Sequence, residues 1–463
     1  MLTVINIDTP KLGDRSYLAH DGTTAVVVDP QRDINRFQEL LEREGLILGA
    51  VVETHMHNDY ISGGLQLARN HNVPYLVSNS DPVSYDRFAV ANNQIVPIGS
   101  FALQAIHTPG HTFTHMSYLL LDSQQSAQGI FTGGSMLHGA TGRPDLLGAD
   151  RAFELAGLQH DSVQKIVQLL EDSVSIYPTH GFGSFCSATP TSGDTSTIAD
   201  ERITNPALNL ERQSYVSKTL AALDVFPAYF KYMAPINLAG PAPLYLSALK
   251  SNSANEIIEL ISVGYWVADL RDRTAWTTGH VPGTLSFGLA GSMASYLGWL
   301  FPYDSELILI SDKAADIQMA QLELARIGID HPAGSYVGDF SGFLKLDQTR
   351  TVTFKELILA IEEGDITILD VRSLSERAAS HIEPSINIPL HELANRIAEI
   401  PRDSQIWVHC ASAYRATIAI GLLAKSGINA VLIAEPYEAC LKVAGLKIVS
   451  ENYDSGFSNL TAH

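Results

Sequence analysis

Val408-His-Cys410-Ala-Ser-Ala-Tyr-Arg415 decides the fold of the last third of the chain. The run before it, Gln405-Ile-Trp-Val-His409, is an apolar strand, and Ala416-Thr-Ile-Ala-Ile-Gly-Leu-Leu-Ala-Lys425 has helical character. The loop between Cys410 and Arg415 therefore joins a strand to a helix N-terminus, the order expected of an α/β domain with a mostly parallel sheet. A thiol at that place faces inward N–H groups and the positive end of the helix dipole. Both favour thiolate and lower the pKa from the usual ~8.5, and the same amides cradle an anionic product. This reading needs a thiol that a reagent can reach. Cys440, a lone cysteine, is read as a core residue.

Working outward, the last 210 or so residues contain a repeat. Ala268-Asp-Leu-Arg271 precedes Gly279-His-Val-Pro-Gly283, and Leu369-Asp-Val-Arg372 precedes His381-Ile-Glu-Pro384. The interval is 11 residues from Asp269 to His280 and again from Asp370 to His381, and the copies are offset by 101 residues. Each opens with an apolar strand, and a second strand follows, Glu306-Leu-Ile-Leu-Ile310 or Gln405–His409. So regular a spacing marks duplicated units. The first copy has Ser311 or Asp312 where the thiol would lie, so it is read as non-catalytic.

The second copy, 351–463, resembles a rhodanese domain, through Leu369-Asp-Val-Arg372, Glu376, His381-Ile, Ile386-Asn-Ile-Pro389 and the Cys410 loop. Its four-residue loop is that of rhodanese sulfurtransferases; phosphatases of the Cys-Arg type have five, enough to encircle a phosphate. The resemblance implies that Cys410 takes up a sulfane sulfur as a persulfide and passes it to a thiol, sulfite or cyanide, with ping-pong kinetics. Ala411, Ser412, Ala413 and Tyr414 would form the persulfide loop, and Arg415 would support it. No cofactor is expected for this domain. Ala434-Glu-Pro-Tyr-Glu-Ala-Cys440 departs from the usual Gly-Gly ahead of Tyr-x-x-Trp.

The front half is marked by histidine. His55-Met-His57-Asn-Asp59 follows directly on the strand Gly49–Glu53, Thr108-Pro-Gly-His111-Thr follows the strand Ser100–His107, and Pro178-Thr-His180-Gly ends a strand at 174–177. Imidazole and carboxylate are ligands for zinc or non-haem iron, and three clusters at strand exits point to one site. Other strands are expected at Thr24–Asp29, Met116–Asp122 and Gly129–Thr132, and helical character at Arg32–Glu44 and from Ile198 to about Lys218.

Residues 1–245 resemble the metallo-β-lactamase superfamily, and within it the persulfide dioxygenase branch. The segments are Thr54-His-Met-His-Asn-Asp-Tyr-Ile-Ser-Gly-Gly64, Thr108-Pro-Gly-His-Thr112, Gly139-Ala-Thr-Gly-Arg-Pro-Asp-Leu-Leu-Gly148 and Thr179-His-Gly-Phe-Gly-Ser-Phe-Cys186. The resemblance implies an αββα sandwich and one Fe(II) held by His55, His111 and the Asp of a Phe-Thr-Gly-Asp segment. This chain reads Phe131-Thr-Gly-Gly134, without that carboxylate, and Tyr60 replaces the motif's last His. Two readings stand: a metal-free domain kept for architecture, or a weaker iron or zinc site completed by His57, Asp59 or His180. On the second, Gly134→Asp is expected to raise metal content. Arg143 and Asp145 are read as a loop ion pair, Cys186 as a structural thiol, and His115 and His138 as having no chemical role.

Composition bounds the rest. The chain has 463 residues, 46% hydrophobic and 17% charged, with a formal net charge of −20. That is a multidomain globular chain, too acidic for a nucleic-acid or anionic-membrane role. Three cysteines make no disulfide framework, and no signal segment or membrane span is read, so the expected location is cytoplasmic. The expected organisation is 1–245, an αββα domain; 250–350, a non-catalytic rhodanese-like α/β domain; and 351–463, a rhodanese domain with mainly parallel sheet. The expected function is rhodanese-type sulfur transfer by Cys410, joined to a persulfide dioxygenase-like domain. Its partners are small persulfides, thiols, sulfite or thiosulfate, and the family implies a homo-oligomer. The alternatives are a zinc-dependent thioester hydrolase of glyoxalase type, or a non-enzymatic persulfide carrier.

Overall fold

The computed structural model describes residues 2–189, 191 and 193–451, and these divide into two compact units, 2–245 with Leu324–Gly328, and Leu246–Glu323 with 329–451.

The first unit holds two six-stranded sheets. One contains β1 (Thr3–Thr9), β2 (Asp14–His20), β3 (Thr24–Val28), β4 (Ile47–Val52), β5 (Tyr75–Ser78) and β6 (Phe88–Val90), in that order. The other contains β7 (Ile95–Ile98), β8 (Phe101–His107), β9 (Met116–Leu121), β10 (Ala127–Gly133), β11 (Ser175–Pro178) and β12 (Ser196–Thr197), likewise in sequence order. Central strands such as Thr24-Ala-Val-Val-Val28 and Met116-Ser-Tyr-Leu-Leu-Leu121 read as near-continuous apolar runs because both their faces are covered. Val26, Val28, Leu103, Ala105, Tyr118 and Leu120 meet between the sheets. Their neighbours turn outward: Ala25 and Val27 pack against the helix Asn35–Glu44, and Ala102, Ile106 and Leu119 against the helix Ala149–Leu169. Helix, sheet, sheet, helix is the αββα sandwich, and its strand ends carry the histidines. The helical stretch expected from Ile198 to Lys218 is three helices, Ile198–Thr204, Pro206–Asn209 and Arg212–Ala222. Pro206 lacks the N–H needed to continue a helix and instead starts a new one, with Asn205 as its cap.

The second unit shows the repeat in three dimensions. β13 (Trp266–Asp269), β14 (Leu285–Ser286), β15 (Leu307–Ser311) and β16 (Gly334–Val337) form an all-parallel sheet in the order β14-β13-β15-β16. β17 (Thr351–Val352), β18 (Ile366–Asp370), β20 (Ile386–Asn387), β21 (Gln405–His409) and β22 (Ala430–Ile433) form a second, ordered β17-β22-β21-β18-β20 and also parallel. Read from β20, it repeats the first order and adds β17 at the edge. β19 (His381–Ile382) pairs antiparallel with β23 (Ile448–Val449).

The 11-residue interval has a physical cause. In the first copy Arg271 forks onto Asp269 through Nε and Nη2, and Nη2 also donates to the Gly279 carbonyl; in the second, Arg372 forks onto Asp370 in the same way and its Nη2 donates to the Ser380 carbonyl. Each arginine thus ties a strand end to the residue before the histidine. The His280 and His381 Nδ1 atoms then donate to the carbonyls four residues earlier, of Trp276 and Arg377. Even the ring under each guanidinium is matched, Phe340 at 3.4 Å and Tyr437 at 3.6 Å. The Asp-x-Arg and His motifs are therefore a structural clamp.

Candidate functional site

In the first unit, β4 ends in Glu53-Thr-His-Met-His-Asn-Asp-Tyr60, every residue of which is buried. Thr54 donates its hydroxyl to Asp29 Oδ2 (2.7 Å), so its oxygen accepts from His55 Nδ1 (2.9 Å). That fixes the His55 tautomer and leaves Nε2 a lone pair, 3.3 Å from His180 Nε2. His180, after β11, donates Nδ1–H to Asp14 (2.9 Å) and lies 3.2 Å from Asp59. His111 donates Nδ1–H to the Arg143 carbonyl (2.9 Å), and its Nε2 has no hydrogen-bond partner. His57 turns its Nε2 to Glu53 (3.1 Å), Asp29 (3.4 Å) and the Tyr60 hydroxyl (3.0 Å), leaving Nδ1 unpartnered. Tyr60 stacks on the His57 ring.

These environments split the histidines into two kinds. Burial pushes His111 down to about 3 and His55 well below the ordinary value, with neighbouring imidazoles adding to the effect. Burial also works against charge on His57 and His180, but carboxylates outweigh it: Asp29 and Glu53 raise His57 to about 9, and Asp59 and Asp14 raise His180 to about 10. Asp14 is pushed up to about 7 by burial and by the Asp59 charge, while His180 holds Asp59 below the carboxylate range against its own burial.

The third family ligand has neither a carboxylate nor room for one. A Cβ on Gly134 would stand 2.3 Å from His111 Cδ2 and 2.6 Å from Cγ, and one on Gly142 would stand 2.7 Å from His111 Nδ1. The His111 ring packs against both glycines and occupies the space an aspartate at 134 would need. A side chain at 134 collides with the His111 ring as it stands, so for Gly134→Asp to raise metal content the ring would have to move aside. Donor atoms do converge within 4.8 Å in His55, His57 and His180; in His111, His180 and Cys186; and in Asp14, Asp59 and His180. Among the described residues, no such group contains both His55 and His111. The His55 and His111 rings stand edge to face at 4.8 Å between centres, and what the triad implied by resemblance lacks is the carboxylate at 134.

Sequence reading passed over several members. His115 accepts the Gly134 N–H at Nε2 (3.0 Å) and stacks on His55 at 5.0 Å between ring centres, so its ring belongs to the cluster. Asp14, Asp29 and Glu53 orient the histidines from segments whose sequence carries no motif. Arg143 does pair with Asp145 (2.7 Å), and it also supplies the carbonyl that orients His111. Cys186 is buried, and burial together with the Asp59 and Asp14 charges pushes its thiol well up.

In the second unit, Cys410 lies directly beyond β21. Its Sγ accepts from the Ala416 N–H at 3.3 Å, in the first turn of the helix Tyr414–Lys425. The amide on the sulfur thus comes from Ala416, beyond the Ala411–Tyr414 loop and Arg415. Ala413 takes φ +66°, a left-handed conformation unusual for alanine, which bends the loop back on itself. Arg415 forks onto Glu376 through contacts of 2.6 and 2.7 Å, which sets its charge to bracing the loop. His409, beside the thiol, is buried without a hydrogen-bond partner, and burial pushes it down to about 4.

Cys410 is fully buried, at 0% exposure. Arg273 donates to the Ser412 carbonyl (2.6 Å), Tyr414 donates its hydroxyl to the Gly288 carbonyl (3.1 Å), and the Tyr296 ring meets Tyr414 at 5.7 Å. A cavity of about 320 Å³ lies beside the loop, lined by Arg273, Gly288, Ser412, Tyr414 and Thr417 among others. The reachable thiol that the sequence reading requires is not present in this arrangement. Ser311, at the equivalent strand end of the first copy, donates to Asp316 (2.7 Å).

Residues 353–440 match the rhodanese-like domain family. With the sandwich and its histidine-bearing strand exits, the chain belongs to the metallo-β-lactamase family and carries that rhodanese-like domain behind it. It is 30% identical over 168 residues to the probable polyketide biosynthesis zinc-dependent hydrolase PksB of Bacillus subtilis, covering 35% of this chain and 68% of that one. It is 29% identical over 231 residues to the mitochondrial persulfide dioxygenase ETHE1 of Homo sapiens, covering 49% and 81%. The crystal structure of a metallo-β-lactamase from Staphylococcus aureus matches with a TM-score of 0.65 and 27% identity, covering 73% of this chain and 99% of that one. Among the described residues no helix is long and apolar enough to cross a membrane.

Proposed function

We propose that the chain is a sulfane-sulfur transferase acting through a Cys410 persulfide, fused to a persulfide dioxygenase-like unit. The observation that carries this is Cys410 Sγ held 3.3 Å from the amide of Ala416 at a helix N-terminus. There the dipole and the N–H favour sulfur anions, thiolate before transfer and persulfide after it.

The Cys410 thiolate attacks the sulfane sulfur of a donor such as thiosulfate. A new S–S bond forms, the donor's bond to that sulfur breaks, and sulfite leaves with the electron pair. An acceptor thiolate, sulfite or cyanide then attacks the outer sulfur, and Cys410 leaves as thiolate. Each half-reaction is a displacement, so no outside oxidant or reductant is needed. Arg415 stays on Glu376 and keeps the loop's shape. The burial of Sγ adds one requirement: the segment carrying Arg273, Gly288 and Tyr296 moves off the loop to admit the donor. The copy at 250–350, without a thiol, acts as this cover.

The test is intact-mass analysis of the native chain after thiosulfate or glutathione persulfide. The expected result is a gain of one sulfur atom, absent in Cys410→Ser, with ping-pong steady-state kinetics. Turnover that survives Cys410→Ser removes the proposal. Sulfur uptake without turnover leaves the carrier reading in its place.

For the first unit, persulfide oxidation to sulfite would need an iron held by His55, His111 and a carboxylate, and position 134 supplies none. A second reading, a zinc-dependent hydrolase, draws on the nitrogen-rich cluster and on relatives named as zinc-dependent hydrolases. Oxygen uptake with glutathione persulfide supports the dioxygenase reading, and thioester cleavage without oxygen uptake supports the hydrolase.

A further inference from the structure

We infer that Arg273, contributed by the thiol-less copy, recognises the anionic head of the sulfane-sulfur donor, and that this contact unlatches the cover over Cys410. The inference deepens the Cys410 reading and rests on it.

Two guanidiniums stand at the loop, and their charges are used differently. Arg415 is forked onto Glu376. Arg273 is half-buried and donates Nη1 to the neutral Ser412 carbonyl at 2.6 Å, and among the described residues no carboxylate pairs with it. Its neighbour Asp272 turns its carboxylate to the N–H groups of Thr274 and Ala275 (2.8 and 3.0 Å). An uncommitted positive charge therefore stands two residues along the chain from the nucleophile.

The fold does not require this arginine. Arg273 opens the helix Arg273–Thr278, two places after the clamp residue Arg271; in the second copy Leu374 opens the helix Leu374–Ala379, two places after Arg372. Clamp and helix form with leucine as they do with arginine.

With Arg273 on Ser412, the cover is shut. The Tyr414 hydroxyl donates to the Gly288 carbonyl (3.1 Å), and its ring lies so close to Gly291 that a Cβ there would stand 2.4 Å from it. Arg273, Thr274, Ser286, Ser412 and Thr417 line the cavity of about 320 Å³ beside the loop. That volume is at the small end of ligand sites, about 300–1,000 Å³, and suits the head of a small anionic donor held by a guanidinium and hydroxyls. A carboxylate or sulfur oxyanion offers the guanidinium fork charged acceptors where Ser412 offers one neutral oxygen. The donor head thus draws Arg273 off Ser412, and its better fit to the open arrangement shifts the population. Only hydrogen bonds are exchanged in this step. A chain of net charge −20 repels anions in general, so a local uncommitted cation is also what steers one to the loop.

The experiment alkylates the full chain with iodoacetamide, an uncharged reagent, and follows the label on Cys410 by peptide mass. The donor-head probes are S-methylglutathione, which has carboxylates and no free thiol, and sulfate; sodium chloride at matched ionic strength is the control. Wild type should react slowly alone and about tenfold faster with a probe, the scale of one hydrogen bond to a charged group. Arg273→Ala should react fast and be indifferent to both probes. Tyr414→Phe loosens the cover but leaves Arg273, so it should react faster at rest and still respond. A response to S-methylglutathione assigns a carboxylate-bearing donor, and a response to sulfate alone an oxoanion donor. No acceleration in wild type, equal acceleration by sodium chloride, or a probe response that survives Arg273→Ala overturns the inference. A chain that takes up no sulfur at Cys410 fails the transferase reading instead, which the mass assay reports separately. The wild-type comparison decides even where a variant fails to fold.

Discussion

Gly134→Ala isolates the crowding around His111. Position 134 needs no positive φ, so the substitution brings no backbone strain and its whole effect is steric. The new Cβ would stand 2.3 Å from His111 Cδ2, 2.6 Å from Cγ and 2.9 Å from Nε2. Ordinary carbon contacts lie at about 3.5–4.0 Å, so the ring has to retreat by more than about 1 Å. It cannot retreat freely, because its Nδ1–H is fixed to the Arg143 carbonyl at 2.9 Å. Overpacking of this kind costs about 1–3 kcal/mol, and losing the hydrogen bond adds about 1 kcal/mol. The expected total is about 2–4 kcal/mol. For a unit of this size, at roughly 2–4 °C per kcal/mol, the melting transition of the first unit should fall by about 5–15 °C. Gly134→Asp should do at least as badly and should lower metal content. Differential scanning calorimetry with metal analysis checks both. A Gly134→Ala transition within about 1 °C of wild type, or a Gly134→Asp chain that gains metal, would refute the packing argument.

Two further predictions concern pH. The Glu376 carboxyl is half-buried, which alone would raise it, but Arg415 outweighs that and holds it below its ordinary value. Its stabilisation is therefore present above the unfolded value near 4.5 and is lost as pH falls through the lowered folded value. Glu376→Gln should flatten this acid limb in melting curves of the second unit and slow sulfur uptake at neutral pH; an unchanged acid limb contradicts the assignment. Asp81 has the opposite sign. Burial raises it to about 6 despite the hydroxyl of Thr114, so the native state loses stability as pH rises from about 3.8 through about 6. With about 1.4 kcal/mol per pKa unit, Asp81→Asn should stabilise the first unit by up to about 3 kcal/mol at pH 7 and by little below pH 4. Equal gain at both pH values would show that the charge is not the cause.

Much was legible in the sequence because it is local. A strand, a four-residue loop and a helical run around Cys410 specify their own geometry, since alternation and helical period act over a few residues. The repeat was legible too, because the Asp269–Arg271 and Asp370–Arg372 clamps act on chain only eight residues further on. The histidine clusters could be placed at strand exits for the same reason. Tertiary packing alone decided the rest. That the His111 ring fills the space of a side chain at 134, that Asp14 orients His180 from 166 residues away, and that His115 faces His55 are contacts between segments with no sequence relation. Whether a thiol is reachable is likewise decided by what is packed over it, as with Cys410 and the residues around Tyr296. Residue types announce chemistry locally, while steric exclusion, burial and the field of distant carboxylates exist only once the chain has folded.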